Sequence, residues 1–371
     1  MKLLIATPLY PPEIGGPATY AHTLERELPK RGIDVVVLPF ASVRHLPKVF
    51  RHIAYFWKVL FALHGVDVLL MLDPVSVGFP AELAALIRGK RTVLKVVGDY
   101  AWEQGQQRFD VTATLDEFSR MPSRLFLTQV GVLRMVQSFV AEQAEHIIVP
   151  SKYLKGIVTS WGISPDKISV IYNAFDGVGE LSTKLATRKE LGISGHVLIS
   201  AGRLVPWKGF RALIDVVRGL RVEYPDLTLF IAGSGPDDAR LRSHIVNQNL
   251  AGVVVMLGGV SHDTLMKYIR SADCFVLNTG YEGLSHQLLE VLAVGTPIVT
   301  TSVGGNVELI EHGVTGLLVS HDDEEAILHA VTTLLGDHKK GATMVRNGKA
   351  FVEQFTTKRM VDETKAVFDS L

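Results

Sequence analysis

The sequence predicts an α/β protein made of two doubly wound domains that face each other across a cleft. Three observations carry this expectation. The chain has 371 residues, a length that favours two domains over one or three. Short β-rich runs alternate with helix-period segments, and the runs are almost continuously apolar, as parallel strands covered on both faces are. The alternation breaks once, near 174–195, where "NAFDGVGELSTKLATRKELGISG" carries glycines, polar residues and a charged helix. The expected domains are therefore 1–178 and 179–355.

In chain order, the first half offers strands at "KLLIATP", "DVVVLP", "DVLLML", "TVLKVV", "HIIVP" and "ISVIY". The first of these, with one lysine and a short apolar run stopped by prolines, reads as a strand rather than a signal peptide. The second half offers "VLISAG", "LTLFIAG", "VVVMLG", "CFVLN", "PIVTT" and "GLLVS". Right-handed crossovers would stack helices on both faces of each sheet. Ligands of such Rossmann-like sheets bind beyond the carboxyl ends of the strands, and a cleft between two of them suits a small molecule.

Hydrophobic residues make up 47% of the chain and charged residues 20%, which supports full cores and argues against disorder. Lys+Arg and Asp+Glu both number 38, so no global field points to nucleic acid. The single cysteine, Cys274, excludes an internal disulfide and fits a reducing, cytoplasmic compartment. It reads as a small buried apolar residue. The most apolar stretch, "VLFALHGVDVLLML", is broken by His64, Gly65 and Asp67 and is too interrupted to span a bilayer.

The stretch 281–297, "YEGLSHQLLEVLAVGTP", holds the most telling chemistry. Ser285 suits an N-cap. The first-turn N–H groups of His286, Gln287 and Leu288 would then lack intrahelical partners and, with the helix dipole, attract a phosphate or diphosphate. Glu290 lies one turn beyond His286 on the same face, placed to accept two ribose hydroxyls as acids do in dinucleotide folds. Glu282 precedes the helix and is placed to accept hydroxyls of whatever the phosphate carries. The order ribose, diphosphate, polyol describes a nucleotide sugar. The plainer alternative is a solvated Glu282 and a merely helical Glu290.

Three further stretches bear on this. "SAGRLVPWKGF" puts Arg203 and Lys208 five apart on a loop, either two cations for a diphosphate leaving group or two surface charges. "YPPEIGGPATYAHTL" follows the first strand. There Gly15 and Gly16 allow close backbone approach, and Pro17 fits the first helical position; a plain structural turn explains it almost as well. "LGGVSHDTL" follows a second-half strand and is placed to wall a base.

The order "GGP…GRLVPWKG…AGSGP…EGLSHQLLE…GTPIV…GG…E" resembles the family 4 glycosyltransferases of GT-B fold. The resemblance spans most of the chain and is densest from 196 to 320. It implies a retaining transfer of a sugar from a nucleotide donor with no required metal or other cofactor. It matches Glu282 to the donor-sugar hydroxyls, Glu290 to the ribose, and Arg203 with Lys208 to the diphosphate. Ser285, His286 and Gln287 match positions that meet the phosphates, with Gly283 and Leu284 in the same loop. Val260 and His262 match the base-binding loop, and Gly15, Gly16 and Gly233 complete the donor set. The first domain becomes the acceptor side, and a final helix at 356–371 crosses back onto it. The chain contains no Asp-x-Asp, the usual metal–diphosphate handle of the other major transferase fold, so Arg203, Lys208 and helix dipoles would take up the leaving-group charge. It also lacks G-x-x-x-x-G-K-[ST], and "GSGPDD" fails G-x-G-x-x-G.

The sequence departs from the family in two places. The histidine common after the fourth strand is replaced in "LKVVGDYAWEQG" by Gly98 and Asp99. Asp99 is then either a proton acceptor or hydroxyl ligand, with Glu103 nearby, or a turn or helix cap. Tyr100 and Trp102 either line the acceptor side or fill core. The second departure is Ser285, which stands where a glycine is usual. The expected route is front-face: the acceptor hydroxyl attacks the side the diphosphate leaves, and the departing phosphate takes its proton.

Between Asp34 and Asp67 there is no acid, and Arg44, Lys48, Arg51 and Lys58 lie among Val49, Phe50, Ile53, Phe56, Trp57, Leu60 and Phe61. The stretch 44–61 is either a contact with an anionic membrane near a glycan or lipid-linked acceptor of polysaccharide biosynthesis, or an ordinary helix with a core face. Two rival readings are a scaffold that binds nucleotide sugars without transfer and a nucleotide-sugar epimerase.

Overall fold

A computed structural model of the chain describes residues 1–13, 15–121, 128–175, 177, 179 and 182–371. It divides into two compact units, Met1–Ala174 with Thr356–Leu371, and Phe175–Phe355. The boundary expected at 178 falls on Val178, outside the described residues.

Unit 1 contains β1 (Lys2–Thr7), α1 (Gly16–Glu27), β2 (Asp34–Pro39), α2 (Lys48–Ala62), β3 (Val68–Met71), α3 (Gly78–Arg88) and β4 (Arg91–Lys95). It continues with α4 (Tyr100–Arg108), α5 (Leu115–Arg120), α6 (Gln129–Gln143), β5 (His146–Val149), α7 (Lys152–Ser160) and β6 (Ile168–Val170). Among the described residues its strands form one parallel six-stranded sheet in the order β2-β1-β3-β4-β5-β6. Leu3, Leu4, Ile5 and Ala6 are all fully buried, as continuous apolarity requires of a strand covered on both faces. β2 reads equally apolar in sequence but is an edge strand, which leaves Val36 exposed.

Unit 2 contains α8 (Lys184–Leu191), β7 (Val197–Ala201), α9 (Phe210–Glu223), β8 (Thr228–Ala232), α10 (Asp238–Asn247), β9 (Val254–Gly258) and α11 (His262–Ser271). Then come β10 (Cys274–Leu277), α12 (His286–Val294), β11 (Ile298–Thr301), β12 (Leu317–Val319), α13 (Glu324–Gly336) and α14 (His338–Val352). Its sheet is also parallel and six-stranded, in the order β12-β11-β10-β7-β8-β9. Leu198, Val276 and Val299 of the sheet pack with Leu213 and Val217 of α9 and Val331 of α13 in one core. Cys274 is buried there, and burial raises its thiol pKa, so it is an inert packing residue.

The last helix, α15 (Thr357–Asp369), belongs to unit 1. Met360, Val361 and Phe368 join the core of Leu3, Ile5 and Leu24. Tyr20 and Thr364 hydroxyls lie 3.2 Å apart, and Arg31 Nε donates to Asp362 at 2.6 Å.

Each sheet has a point where the winding reverses. In unit 1 it lies between β1 and β3, in unit 2 between β7 and β10. Loops leaving the carboxyl ends of strands on either side of such a point diverge and open a crevice. In unit 2 those are the loops 202–209 and 278–285, which carry Arg203, Lys208, Glu282 and Ser285.

Candidate active site

The crevice of unit 2 is framed by backbone that packs too closely for side chains. A Cβ on Gly233, at φ +142°, would sit 1.8 Å from the Gly202 carbonyl oxygen. One on Gly305 would lie 2.3 Å from that of Gly283. Gly305 N–H donates to Glu282 O at 2.9 Å, and Gly280 N–H donates to Trp207 O at 2.6 Å. Asn278 ties the loops together: its Nδ2 donates to Gly209 O at 2.9 Å and Asp322 Oδ1 at 2.8 Å, and its Oδ1 accepts from Asp322 N–H at 3.0 Å. A buried amide with these partners holds the loop after β10 against the loop after β7. In sequence Asn278 is only the end of a strand; nothing local in "CFVLN" marks it as a clamp.

Ser285 caps α12, and its hydroxyl accepts from Leu288 N–H at 3.4 Å. Helix geometry then directs the first-turn N–H groups beyond the amino end, into the crevice. Gly283, Leu284 and Ser285 are buried, Gln287 is half-buried and His286 is exposed. A methyl placed on Gly202 would be 3.8 Å from both Gln287 Oε1 and Lys208 Cδ, so these side chains converge on one spot.

The ionisable groups come together in pairs. Lys208, at the end of a 3-10 turn over Pro206–Lys208, forms an ion pair with Glu282, the two side chains 12% and 15% exposed. His262 is the first residue of α11, behind the cap Ser261, and its Nε2 lies 3.0 Å from Glu290 Oε1. The Glu290 carboxylate raises the His262 pKa. Arg203 lies exposed on the same loop as Lys208, Val260 half-buried before α11, and Gly233 at the end of β8. All expected donor-side residues of unit 2 thus sit at the carboxyl edge of its sheet, on the loops that leave the strands or in the first turns of α11 and α12.

In unit 1, Gly15 and Gly16 follow β1, and Asp99, Tyr100, Trp102 and Glu103 follow β4, again at the carboxyl edge. One expectation changes there, and two alternatives left open by the sequence close. α1 begins at Gly16, so Pro17 is its second residue rather than its first; the position still needs no N–H partner. Asp99 is 1% exposed and is the N-cap of α4. Its Oδ1 accepts from Trp102 N–H at 2.9 Å and its Oδ2 from Trp161 Nε1–H at 3.1 Å. Both oxygens are engaged and burial raises the carboxyl pKa, so Asp99 has the geometry of a positioning cap, not of a proton acceptor open to substrate. Trp102 is core: it is buried, and its Nε1–H donates to Ala113 O at 2.8 Å. Tyr100 and Glu103 stay half-buried at the edge.

Residues 14–177 match the model described as Glycosyltransferase Family 4 and residues 184–351 the one described as Glycosyl transferases group 1. An uncharacterized glycosyltransferase of Methanocaldococcus jannaschii is 28% identical over 99% of this chain and 98% of its own. The N-acetyl-alpha-D-glucosaminyl L-malate synthase of Bacillus anthracis is 24% identical over 99% and 97%. Among solved structures, Anabaena HepE in complex with UDP-glucose superposes with a TM-score of 0.78 at 21% identity over the whole of both chains. Sucrose-phosphate synthase from Thermosynechococcus elongatus gives 0.79 at 18% over 100% and 98%. Two parallel Rossmann-like sheets and matches along nearly the whole chain agree: the protein belongs to the family 4 glycosyltransferases of GT-B fold, retaining hexosyltransferases that use a nucleotide-sugar donor.

Proposed function

We propose that the chain moves a hexose from a nucleoside-diphosphate donor to a hydroxyl of a glycan or lipid-linked acceptor, without a metal, by a front-face route. The observation that carries this is the pairing of basic with acidic side chains around the start of α12: the Lys208 ammonium with Glu282 on one side, the His262 imidazole with Glu290 on the other. A diphosphate at the helix end takes the anionic place beside Lys208 and Arg203. Glu282 is then released to the sugar hydroxyls and Glu290 to the ribose, while Val260 and His262 flank the base. Gly15 and Gly16 are kept in the donor set, Tyr100 and Glu103 in the acceptor set.

In the reaction, the bond from the anomeric carbon to the diphosphate oxygen breaks as the acceptor oxygen bonds to the same face. The acceptor proton passes to the departing phosphate. Arg203, Lys208 and the α12 dipole offset the charge that develops there, in a site already organised for it. Asp99 serves by fixing the start of α4.

The UDP-glucose held by HepE supports a uridine-diphosphate hexose as the first donor to test. We place the reaction in the cytoplasm, peripheral to an anionic membrane through residues 44–61, because of the single buried thiol and that acid-free segment. No helix among the described residues is long and apolar enough to cross a membrane. The test is NMR of the product formed from UDP-glucose, UDP-galactose and UDP-N-acetylglucosamine with an acceptor extract, in the presence of chelator. An α-linked product and release of UDP support the reading. A β-linked product, loss of turnover restored only by a divalent metal, or donor conversion without acceptor would overturn it.

A further inference from the structure

The helix α2 is apolar on two opposite faces. Tyr55, Val59 and Leu63 are fully buried in unit 1. On the other side Phe50, Ile53, Trp57 and Phe61 recur at steps of three and four and form one stripe. Each is between 51% and 67% exposed. The Trp57 and Phe61 rings stack at 6.0 Å. Arg88 Nε donates to Leu60 O at 3.2 Å, which brings the exposed Leu86 and Ile87 of α3 to the same end. Scattered exposed hydrophobics are ordinary; a contiguous stripe of large ones marks a contact surface.

The charges around the stripe narrow the partner. No acid occurs between Asp34 and Asp67. Arg44 is spent on Glu13, and Arg51 lies over the Phe40 ring. Lys58 and Arg88 are exposed. Lys48 is exposed as well but, seven residues before the buried Tyr55, starts the helix on its inward side. Lys58, one residue from Trp57, donates from its Nζ to the exposed Ser42 O, at 3.3 Å, and has the long stem that lets an ammonium swing to a headgroup while its chain lies on apolar surface. At 15 residues α2 is too short to span a bilayer and suits one that lies in the interface.

We propose that this face is a lipid-contact surface: α2 lies in the plane of an anionic bilayer, with Phe50, Ile53, Trp57 and Phe61 among the upper acyl chains and Lys58 and Arg88 at the lipid phosphates. A protein partner would need acids to match these cations; an anionic leaflet supplies them along the whole helix. The proposal deepens the acceptor half of the reading above and is independent of which donor binds.

The test is flotation of the full chain with vesicles of phosphatidylcholine containing about one-third phosphatidylglycerol, against phosphatidylcholine alone. The chain partitions to the anionic vesicles, roughly tenfold less to neutral ones. Phe50→Ser/Trp57→Ser/Phe61→Ser lowers partition about tenfold or more at any salt, and Lys58→Glu lowers it about threefold, mainly at low salt. Leu185→Ser, at an exposed leucine of unit 2, changes nothing. UDP binding by calorimetry stays unchanged in all variants, so a failed membrane contact and a failed donor site are told apart. If the triple variant does not fold, Trp57→Ser alone carries the test, with a roughly threefold loss expected. No partition of the wild type, or partition indifferent to these changes, overturns the proposal. So does a lipid-free dimer that the triple variant dissolves, which would make the stripe a contact between two copies.

Discussion

Replacing Lys208 by methionine keeps the stem and removes the charge, and the structure sets what should follow. Lys208 and Glu282 are paired and mostly buried. Leaving Glu282 without its cation costs roughly 1–3 kcal/mol of stability, or a fall of about 3–10 °C in the melting temperature of a domain this size. The leaving diphosphate also loses one of two cations, which by analogy with oxyanion donors lowers kcat by about 10²–10³, roughly 2.7–4 kcal/mol of barrier. The kinetic loss is the larger. The double variant Lys208→Met/Glu282→Gln separates the two effects. With no bare charge left, stability returns to within about 1 kcal/mol of wild type, while turnover stays low because both roles are gone. Release of nucleoside diphosphate at saturating donor, with thermal melts on the same samples, gives both quantities. A single variant that keeps more than about a third of the wild-type kcat, or a double variant that regains turnover together with stability, would refute the reasoning.

Other outcomes follow from the same geometry. The His262 pKa is raised by Glu290, so the pair's stabilisation is complete below the unfolded value, about 6.5, and is lost as pH rises through the folded one. The melting difference between wild type and His262→Ala should therefore shrink from about pH 5.5 to 8.5, and a difference that stays constant would contradict the pairing. Asp99→Asn turns one acceptor of the cap into a donor facing Trp102 N–H or Trp161 Nε1–H; it should cost about 1–2 kcal/mol of stability yet leave kcat within a few-fold. A hundredfold loss of kcat at normal stability would return Asp99 to proton transfer. Gly305→Ala places a methyl 2.3 Å from Gly283 O; donor affinity should fall about tenfold and stability by roughly 1–3 kcal/mol, and a normal Kd with a normal melt would show that the frame is not needed.

The strands were legible because burial on both faces leaves an unbroken apolar run, as at Leu3–Ala6 and Val197–Ala201. Ser285 was legible because a cap is a local event. The contacts between basic and acidic side chains were not. Lys208 and Glu282 are 74 residues apart and His262 and Glu290 are 28 apart, and only the strand order brings them together. Asp99 stood at a strand-to-helix junction, where a cap and a catalytic acid look alike; Trp161, distant in sequence, decides between them in space. The segment 44–61 is apolar on both faces of its helix, so periodicity gave no sidedness, and only packing shows that Tyr55 faces inward and Trp57 outward.

The central claim is that a nucleoside diphosphate docks at the start of α12 between Lys208 and Glu290. Calorimetric titration of UDP, GDP and ADP tests it most directly. One of the three should bind at a single site, and its affinity should drop about tenfold or more in both Lys208→Met and Glu290→Gln. No binding of any of them, or binding that neither substitution alters, would contradict it.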